Sequence, residues 1–182
     1  MRTRLLIVGA GGFGGAVAEA AEATGLFELV GFVDDRWPEL AAVAAGPVVG
    51  NLAGLAALRD RADAAALAIG NNSVRQLAFE QARGAGFALP AIVHPAAWMA
   101  PGVRAGAGAL VMARGVVSAG CVLGEGALVN AGAVIDHDCD VGPFAHIGIA
   151  ASMGGGARLG PRAHLAQAAT LRAGAVSLAD DM

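Results

Sequence analysis

The sequence predicts two folds in series: an α/β domain over residues 1–88 and a parallel β-helix over residues 89–182. Two observations predict them. The first is a period of six. From Ala91 the chain divides into 15 hexads with no insertion, from AIVHPA, AWMAPG and VRAGAG through to AVSLAD. The third position is aliphatic or Met in 13 of the 15, with Ala105 and Ser177 the exceptions. The first position is Ala, Gly or Cys everywhere but Val103. The second observation lies at the N-terminus. An apolar run is followed by a glycine-rich turn, a helical stretch and a second apolar run that ends in two acids.

Taken in order, Arg4 to Val8 reads as a buried parallel strand. Gly9-Ala-Gly11-Gly12-Phe13-Gly14 is a G-x-G-x-x-G turn, and residues 13 to 24 read as an Ala- and Glu-rich helix. A strand from Glu28 to Val33 ends in Asp34-Asp35. This is the opening of a Rossmann-like fold. Glycines let the backbone approach a phosphate, which then rests on the helix N-terminus. Gly11, Gly12 and Phe13 are therefore candidate phosphate-side residues. Asp34 and Asp35 lie about 20 residues beyond the glycines, where acids accept hydrogen bonds from ribose hydroxyls. Pro47 to Val49 reads as a short strand, Leu52 to Arg61 as a helix and Ala64 to Ile69 as a strand. Gly70-Asn71-Asn72-Ser73 is a turn leading to a helix through Arg83, and it falls on the ligand-binding edge of an open sheet. Asn71 and Asn72 join the candidate list. Phe87 to Pro90 lead into the repeats.

A period of six with one large and one small apolar position matches neither an amphipathic helix nor a simple alternating strand. It matches the hexapeptide repeat of a parallel β-helix. Each hexad gives one short strand and one corner, the large residue filling the interior. Gly recurs at the sixth position, and Pro95, Pro101, Pro143 and Pro161 share the fifth, as tight corners require. Three hexads make a coil of 18 residues, so residues 91 to 180 make five coils. Cys121 and Cys139 are 18 apart and stack at roughly 4.8 Å. That spacing accommodates a disulfide, but small interior thiols in a reducing compartment are the simpler reading.

His137 stands at a corner in Val134-Ile135-Asp136-His137-Asp138-Cys139. The positions stacked on it, Ala119 and Gly155, are small, which predicts a clearing beside the ring. Asp138 is adjacent, and a carboxylate on one ring nitrogen raises the basicity of the other. A solvated corner histidine among surface acids fits the same spacing. His146 and His164 also stack, but two histidines alone make a weak metal site. His94 reads as a loop residue, Trp98 and Phe144 as packing or subunit contacts, and Arg158 and Arg172 as exposed cations.

Composition narrows the function. Hydrophobic residues are 56% and charged residues only 15%, with net charge −3, so no nucleic-acid surface is indicated. The high apolar content suits flat faces that pack on other subunits. The N-terminal Met1-Arg-Thr-Arg-Leu-Leu-Ile-Val resembles a signal peptide, but Gly9 to Gly15 interrupt its apolar region. No run is apolar and long enough to span a membrane. The expected location is the cytoplasm.

At this point the chain is similar to a known family, the bacterial hexapeptide-repeat sugar acyltransferases that modify nucleotide-linked amino sugars, related to sialic-acid-type O-acetyltransferases. The likeness rests on Ile7-Val-Gly-Ala-Gly-Gly-Phe-Gly14, Gly31-Phe-Val-Asp-Asp35, Ile69-Gly-Asn-Asn72 and Ile92-Val-His-Pro95. It continues in Asn130-Ala-Gly-Ala-Val-Ile-Asp-His-Asp-Cys139 and Phe144-Ala-His-Ile147. The resemblance implies a left-handed β-helix that assembles as a homotrimer. It implies a nucleotide-linked sugar, not NAD, on the α/β domain, and acetyl-CoA as co-substrate along the coils, with no metal. His137 matches the family's general base, and Asp138 the acid that orients it, usually Glu. His146 matches a second histidine near the thioester carbonyl and Asn130 a residue beside the site; Gly155 joins them as an acetyl-CoA contact. Family members usually continue past Leu178-Ala-Asp-Asp-Met182 with a further turn and tail that cover CoA, so an open last coil is expected. The expected activity is N-acetylation of a nucleotide-linked aminodeoxy sugar. O-acetylation of a sugar hydroxyl and a non-catalytic nucleotide-sugar-binding trimer are alternatives on the same residues. An NAD-linked oxidoreductase would need a hydride-transfer site, which 90 residues of β-helix do not offer.

Overall fold

A computed structural model describes residues 1–178, in two compact units, Met1–Pro90 and Ala91–Met182. The expected open end of the last coil falls partly on residues 179–182, outside the described residues.

The first unit is built on β1 (Thr3–Val8), β2 (Phe27–Val33), β3 (Ala42–Val43), β4 (Gly46–Gly50) and β5 (Ala64–Leu67), in the order β3-β4-β2-β1-β5. All neighbours are parallel except β3, which pairs antiparallel with β4. Leu5, Leu6, Ile7 and all of Ala64–Leu67 are fully buried. Burial on both faces explains why these strands read as continuous apolar runs. Two helices, α1 (Gly12–Ala23) and α2 (Asn72–Gly84), complete the unit. The helix expected over residues 52–61 is a correction: only a four-residue 3₁₀ turn forms, Leu55–Leu58. The backbone here closes bonds three residues apart, Leu55 N–H to Leu52 O and Ala57 N–H to Gly54 O, around Gly54, a poor helix former. Strand order reverses at β1, between β2 and β5, which is where an open sheet places its ligand crevice.

The second unit is a left-handed parallel β-helix. Fifteen two-residue strands, from β6 (Ile92–Val93) to β20 (Val176–Ser177), form three five-stranded sheets among the described residues. Each strand pairs with the one 18 residues on: Val117 with Ile135, Ile135 with Met153, Leu128 with His146, His146 with His164. The interior is a column of third-position residues, Val117, Leu123, Val129, Ile135, Val141 and Ile147 among them. First-position Cys121, Ala127, Ala133, Cys139 and Ala145 fill the remaining space.

The corners are more uniform than their residues. Every sixth-position residue from Gly102 to Gly174 has a left-handed backbone, including Arg114, Asp138, Phe144, Ala150, Arg162 and Ala168 at φ 56–59°. A non-glycine residue there costs roughly 1–2 kcal/mol. Bonds to the preceding coil hold it in place. Asp138 N–H donates to Ala119 O at 2.9 Å, and Phe144 N–H to Glu125 O at 2.7 Å.

Candidate active site

The corner carrying His137 is pinned through its backbone from both sides. Asp136 N–H donates to Met153 O (2.9 Å), and Gly156 N–H donates to His137 O (2.9 Å). The buried Cys121 thiol donates to Asp136 O at 2.9 Å, and the Cys139 thiol to Gly154 O at 3.2 Å. Both cysteines are free thiols, and burial raises their pKa. They act here as small interior donors, not as a disulfide.

On this rigid corner the side chains of Asp136, His137 and Asp138 are all more than half exposed. Nδ1 of His137 lies 2.9 Å from Asp138 Oδ2. An ionised carboxylate only accepts, so Nδ1 carries the proton and Nε2 of the neutral ring presents its lone pair. Asp138, with its shorter side chain, reaches the ring from a left-handed backbone (φ 58°). Asp136 Oδ1 accepts from the His137 N–H at 2.8 Å, and its Oδ2 stands 3.9 Å from Nε2. The hydrogen bond to Asp138, and next the charge of Asp136, raise the pKa of His137 above the ordinary histidine value. The clearing expected beside His137 is a second correction. A Cβ on Gly155 would lie 2.6 Å from Nε2 and 2.7 Å from Cε1, so the imidazole itself occupies the space above Gly155.

His146 and His164 stack ring on ring, with centroids 4.6 Å apart and planes 13° from parallel. Nδ2 of Asn130 is 3.4 Å from Nε2 of His146, and its Oδ1 accepts from Ala131 N–H. His146 and His164 thus stack on one sheet, and Asn130, just past the strand that pairs with His146, reaches its ring from the preceding coil. Among the described residues no group of three His, Cys, Asp or Glu side chains could hold a metal ion. Phe144 is buried, while Trp98 is 54% exposed. Arg158 and Asp140 line a surface hollow of about 370 Å³ near the end of the coils.

In the α/β unit the candidate residues gather at the C-terminal ends of the strands. One hollow of about 310 Å³ is lined by Gly11, Gly12 and Gly15 on one side and Val43 to Ala45 on the other. Another, of about 200 Å³, is lined by Gly9, Asp34, Asp35, Leu52 and Ile69. Gly11 is the N-cap of α1, Gly12 and Phe13 form its first turn, and no acid stands in that turn. Helix starts leave N–H groups free of intrahelical partners, and these attract anions. A Cβ at Gly11 or Gly12 would meet nothing within 4 Å. The glycines that packing demands are others. A Cβ at Gly9 (φ +107°) would lie 2.6 Å from Ala68 O, and one at Gly14 would overlap Gly9 O.

The polar candidates at this edge are engaged within the chain. Asp34 Oδ2 accepts from Ala10 N–H at 2.9 Å, and both its oxygens accept from the Arg36 guanidinium. That guanidinium, followed by the backbone donors, holds Asp34 well below the usual carboxylate range despite partial burial. Asp35 Oδ1 accepts from Leu52 N–H. Asn71 caps α2 by accepting from Val74 N–H at 2.9 Å. Asn72 is buried and accepts from Arg75 Nη2 at 2.8 Å.

Arg75 is the residue that sequence reading missed. It is fully buried, its Nη1 donates to Ile69 O (2.9 Å) and Gly70 O (3.2 Å), and burial lowers its pKa to about 10. It holds the turn that carries Asn71 and Asn72. Its position in the first turn of a helix, three residues after Asn72, is the only signal the sequence carried.

Residues 4–82 match the family model of the PglD N-terminal domain. Among curated proteins none matches the chain. Several solved structures do. The acetyltransferase domain of PglB from Neisseria gonorrhoeae is 36% identical, with a TM-score of 0.75 over 100% of this chain and 94% of that one. The same domain in complex with acetyl coenzyme A aligns at 33% identity and TM-score 0.75, covering 99% and 98%. PerB of Caulobacter crescentus, solved with CoA and GDP-perosamine, is 34% identical with a TM-score of 0.74, covering 97% and 89%. On identity and coverage across both units, the chain belongs to the hexapeptide-repeat sugar acetyltransferase family and is an acyltransferase.

Proposed function

We propose that this chain is an acetyl-CoA-dependent N-acetyltransferase acting on a nucleotide-linked aminodeoxy sugar, with His137 as general base and Asp138 orienting it. The observation that carries the reading is the 2.9 Å contact between His137 Nδ1 and Asp138 on a backbone pinned by neighbouring coils. It leaves Nε2 as the one basic nitrogen. A relative 34% identical over nearly the whole chain was solved with CoA and GDP-perosamine, which supports both the acyl donor and an amino-sugar acceptor.

The chemistry needs few parts. Nε2 of His137 takes a proton from the sugar amine as its nitrogen bonds to the thioester carbonyl. The C–S bond then breaks, and the imidazolium returns the proton to the departing CoA sulfur. Positioned proton transfer of this kind contributes about 10²–10⁴-fold. Amine and thioester react directly once held together, so neither buried cysteine is required as a nucleophile. His146, beside Asn130, or a backbone N–H, faces the carbonyl oxygen as charge develops there. Gly155 is read here with the acetyl-CoA side of the site.

The nucleotide sugar sits at the strand ends of the α/β unit. The first turn of α1 at Gly11, Gly12 and Phe13 receives phosphate. Asp34 braces that turn, Asp35 borders the adjoining hollow, and Asn71 and Asn72 shape the turn before α2. The β-helix assembles as a homotrimer; exposed Trp98 and Val134, aligned on one sheet, are apolar surface for such packing. The reduced, buried thiols fit a cytoplasmic location. Among the described residues no helix is long and apolar enough to cross a membrane.

Calorimetric titration with acetyl-CoA, and separately with GDP- and UDP-linked 4-amino and 2-amino sugars, tests the reading together with a turnover assay. Binding of both substrate classes with acetyl transfer to nitrogen is expected. Sugar binding without acetyl-CoA binding would replace it with a non-catalytic scaffold.

A further inference from the structure

The His137–Asp138 pair lies between two glycines from the coils on either side. Gly155 is one coil on from His137, and Gly120 one coil before Asp138. The ring of His137 lies so close over Gly155 that a methyl group there would stand 2.6 Å from Nε2. A Cβ on Gly120 would overlap the Asp138 carboxylate. Not every corner glycine is crowded in this way: at Gly126 a Cβ would overlap the Phe144 ring, whereas at Gly132, Gly156 and Gly174 it would meet nothing within 4 Å.

We propose that Gly155 and Gly120 are positioning residues of the reaction, two absent side chains that seat the imidazole and the carboxylate against each other. The proposal rests on the reading of His137 as base. Physical detail supports it. Gly155 lies outside the left-handed region, so alanine fits its backbone. The atoms that alanine would strike belong to an exposed side chain, 62% accessible, and not to backbone. The ring must therefore give way while the coil stays put. The change falls on the geometry of the pair, not on the fold. The seat is itself held, because the Cys139 thiol bonds Gly154 O beside Gly155 and the Cys121 thiol bonds Asp136 O beside His137. Elsewhere in the first-position column from 109 to 175 the residue is Ala or Gly.

The test compares Gly155→Ala, Gly120→Ala and Gly132→Ala with His137→Ala and Asp138→Asn. Gly132 has φ +68° and open space, so its variant measures backbone strain alone and serves as the control for Gly120 (φ +75°). Thermal melting should place Gly155→Ala with wild type, and Gly120→Ala with Gly132→Ala. The imidazole midpoint of His137, followed by NMR without substrate, should fall in Gly155→Ala toward the Asp138→Asn value, and stay at the wild-type value in Gly132→Ala. With the best acceptor from the titration panel, kcat should drop about 10- to 100-fold in Gly155→Ala, with both KM values within about twofold. An unchanged midpoint and kcat in Gly155→Ala, with turnover lost in His137→Ala, would overturn the seat and leave the base standing. A raised KM for acetyl-CoA with midpoint and kcat retained would leave Gly155 as a CoA contact alone and would also overturn the seat. Full turnover by His137→Ala would remove the base reading, and the seat would fall with it.

Discussion

At the strand ends of the α/β unit the polar side chains turn inward on the chain, whereas at the 136–138 corner they stand in solvent on a pinned backbone. Asp34 bonds Ala10 and Arg36, Asn71 caps α2, and Asn72 meets buried Arg75. What this edge offers a ligand is a set of shaped hollows and the open amides of a helix start. The corner offers a nitrogen lone pair, and the Asp136 and Asp138 N–H groups and the His137 carbonyl are bonded by the coils on either side. On the proposed reading, one region holds and the other reacts. In both, rigidity comes from bonds within the chain.

The largest effect expected is loss of the scaffold under the reactive corner. Ile135 is fully buried beside it, and Ile135→Asp places a charge in a column of aliphatic residues. The cost exceeds about 3 kcal/mol, enough to unfold the β-helix, visible as loss of the cooperative melt by circular dichroism. A normal melt would mean that the third position does not point inward. Next comes the reactive side chain itself. His137→Ala should lower kcat by about 10²–10⁴-fold while the melting temperature holds, since the ring is exposed and its backbone bonds remain.

The holding region responds differently. Arg75→Met should destabilise the protein by about 2–4 kcal/mol in urea unfolding, because carbonyls of Ile69 and Gly70 lose a buried donor. It should weaken the nucleotide sugar more than acetyl-CoA, and equal losses of both would break the contrast between the regions. The smallest effect is a displacement in pH. The base must be neutral to accept a proton, so activity rises as pH climbs through the raised pKa of His137. Asp138→Asn removes the chief cause of that rise. The acidic limb of the kcat/KM profile should move to lower pH, toward the ordinary histidine value; an unmoved limb would assign it to another group.

The β-helix was legible because its signal repeats. A large residue every sixth position can only be reconciled with an interior column, and 15 repeats average out Ala105 and Ser177. The left-handed corners were half legible: Gly102 and Gly120 announce the conformation, whereas Arg114 and Phe144 adopt it because the coil below supplies the bond. The α/β elements were legible where strands are buried on both faces, and illegible at Leu52 to Arg61, where the backbone closes three-residue turns around Gly54 in place of a full helix. The contact between His137 and Asp138 followed from adjacency. Gly155 was visible as a small neighbour, yet its meaning reversed, since spacing reveals a gap but not what fills it. Arg75 stayed hidden because burial of its guanidinium depends on carbonyls that only the folded turn brings together.

The uniform corner also sets a reading frame. From Gly126 to Gly174 each left-handed N–H is bonded to the coil 19 residues back, as Asp138 is to Ala119, Phe144 to Glu125 and Gly156 to His137. Inserting one residue inside a hexad would rotate all later large residues out of the column at once. Inserting 18 would add a storey and leave the corner at His137 as it is. Growth by whole storeys is therefore the mild change for this prism, and a single-residue slip the severe one.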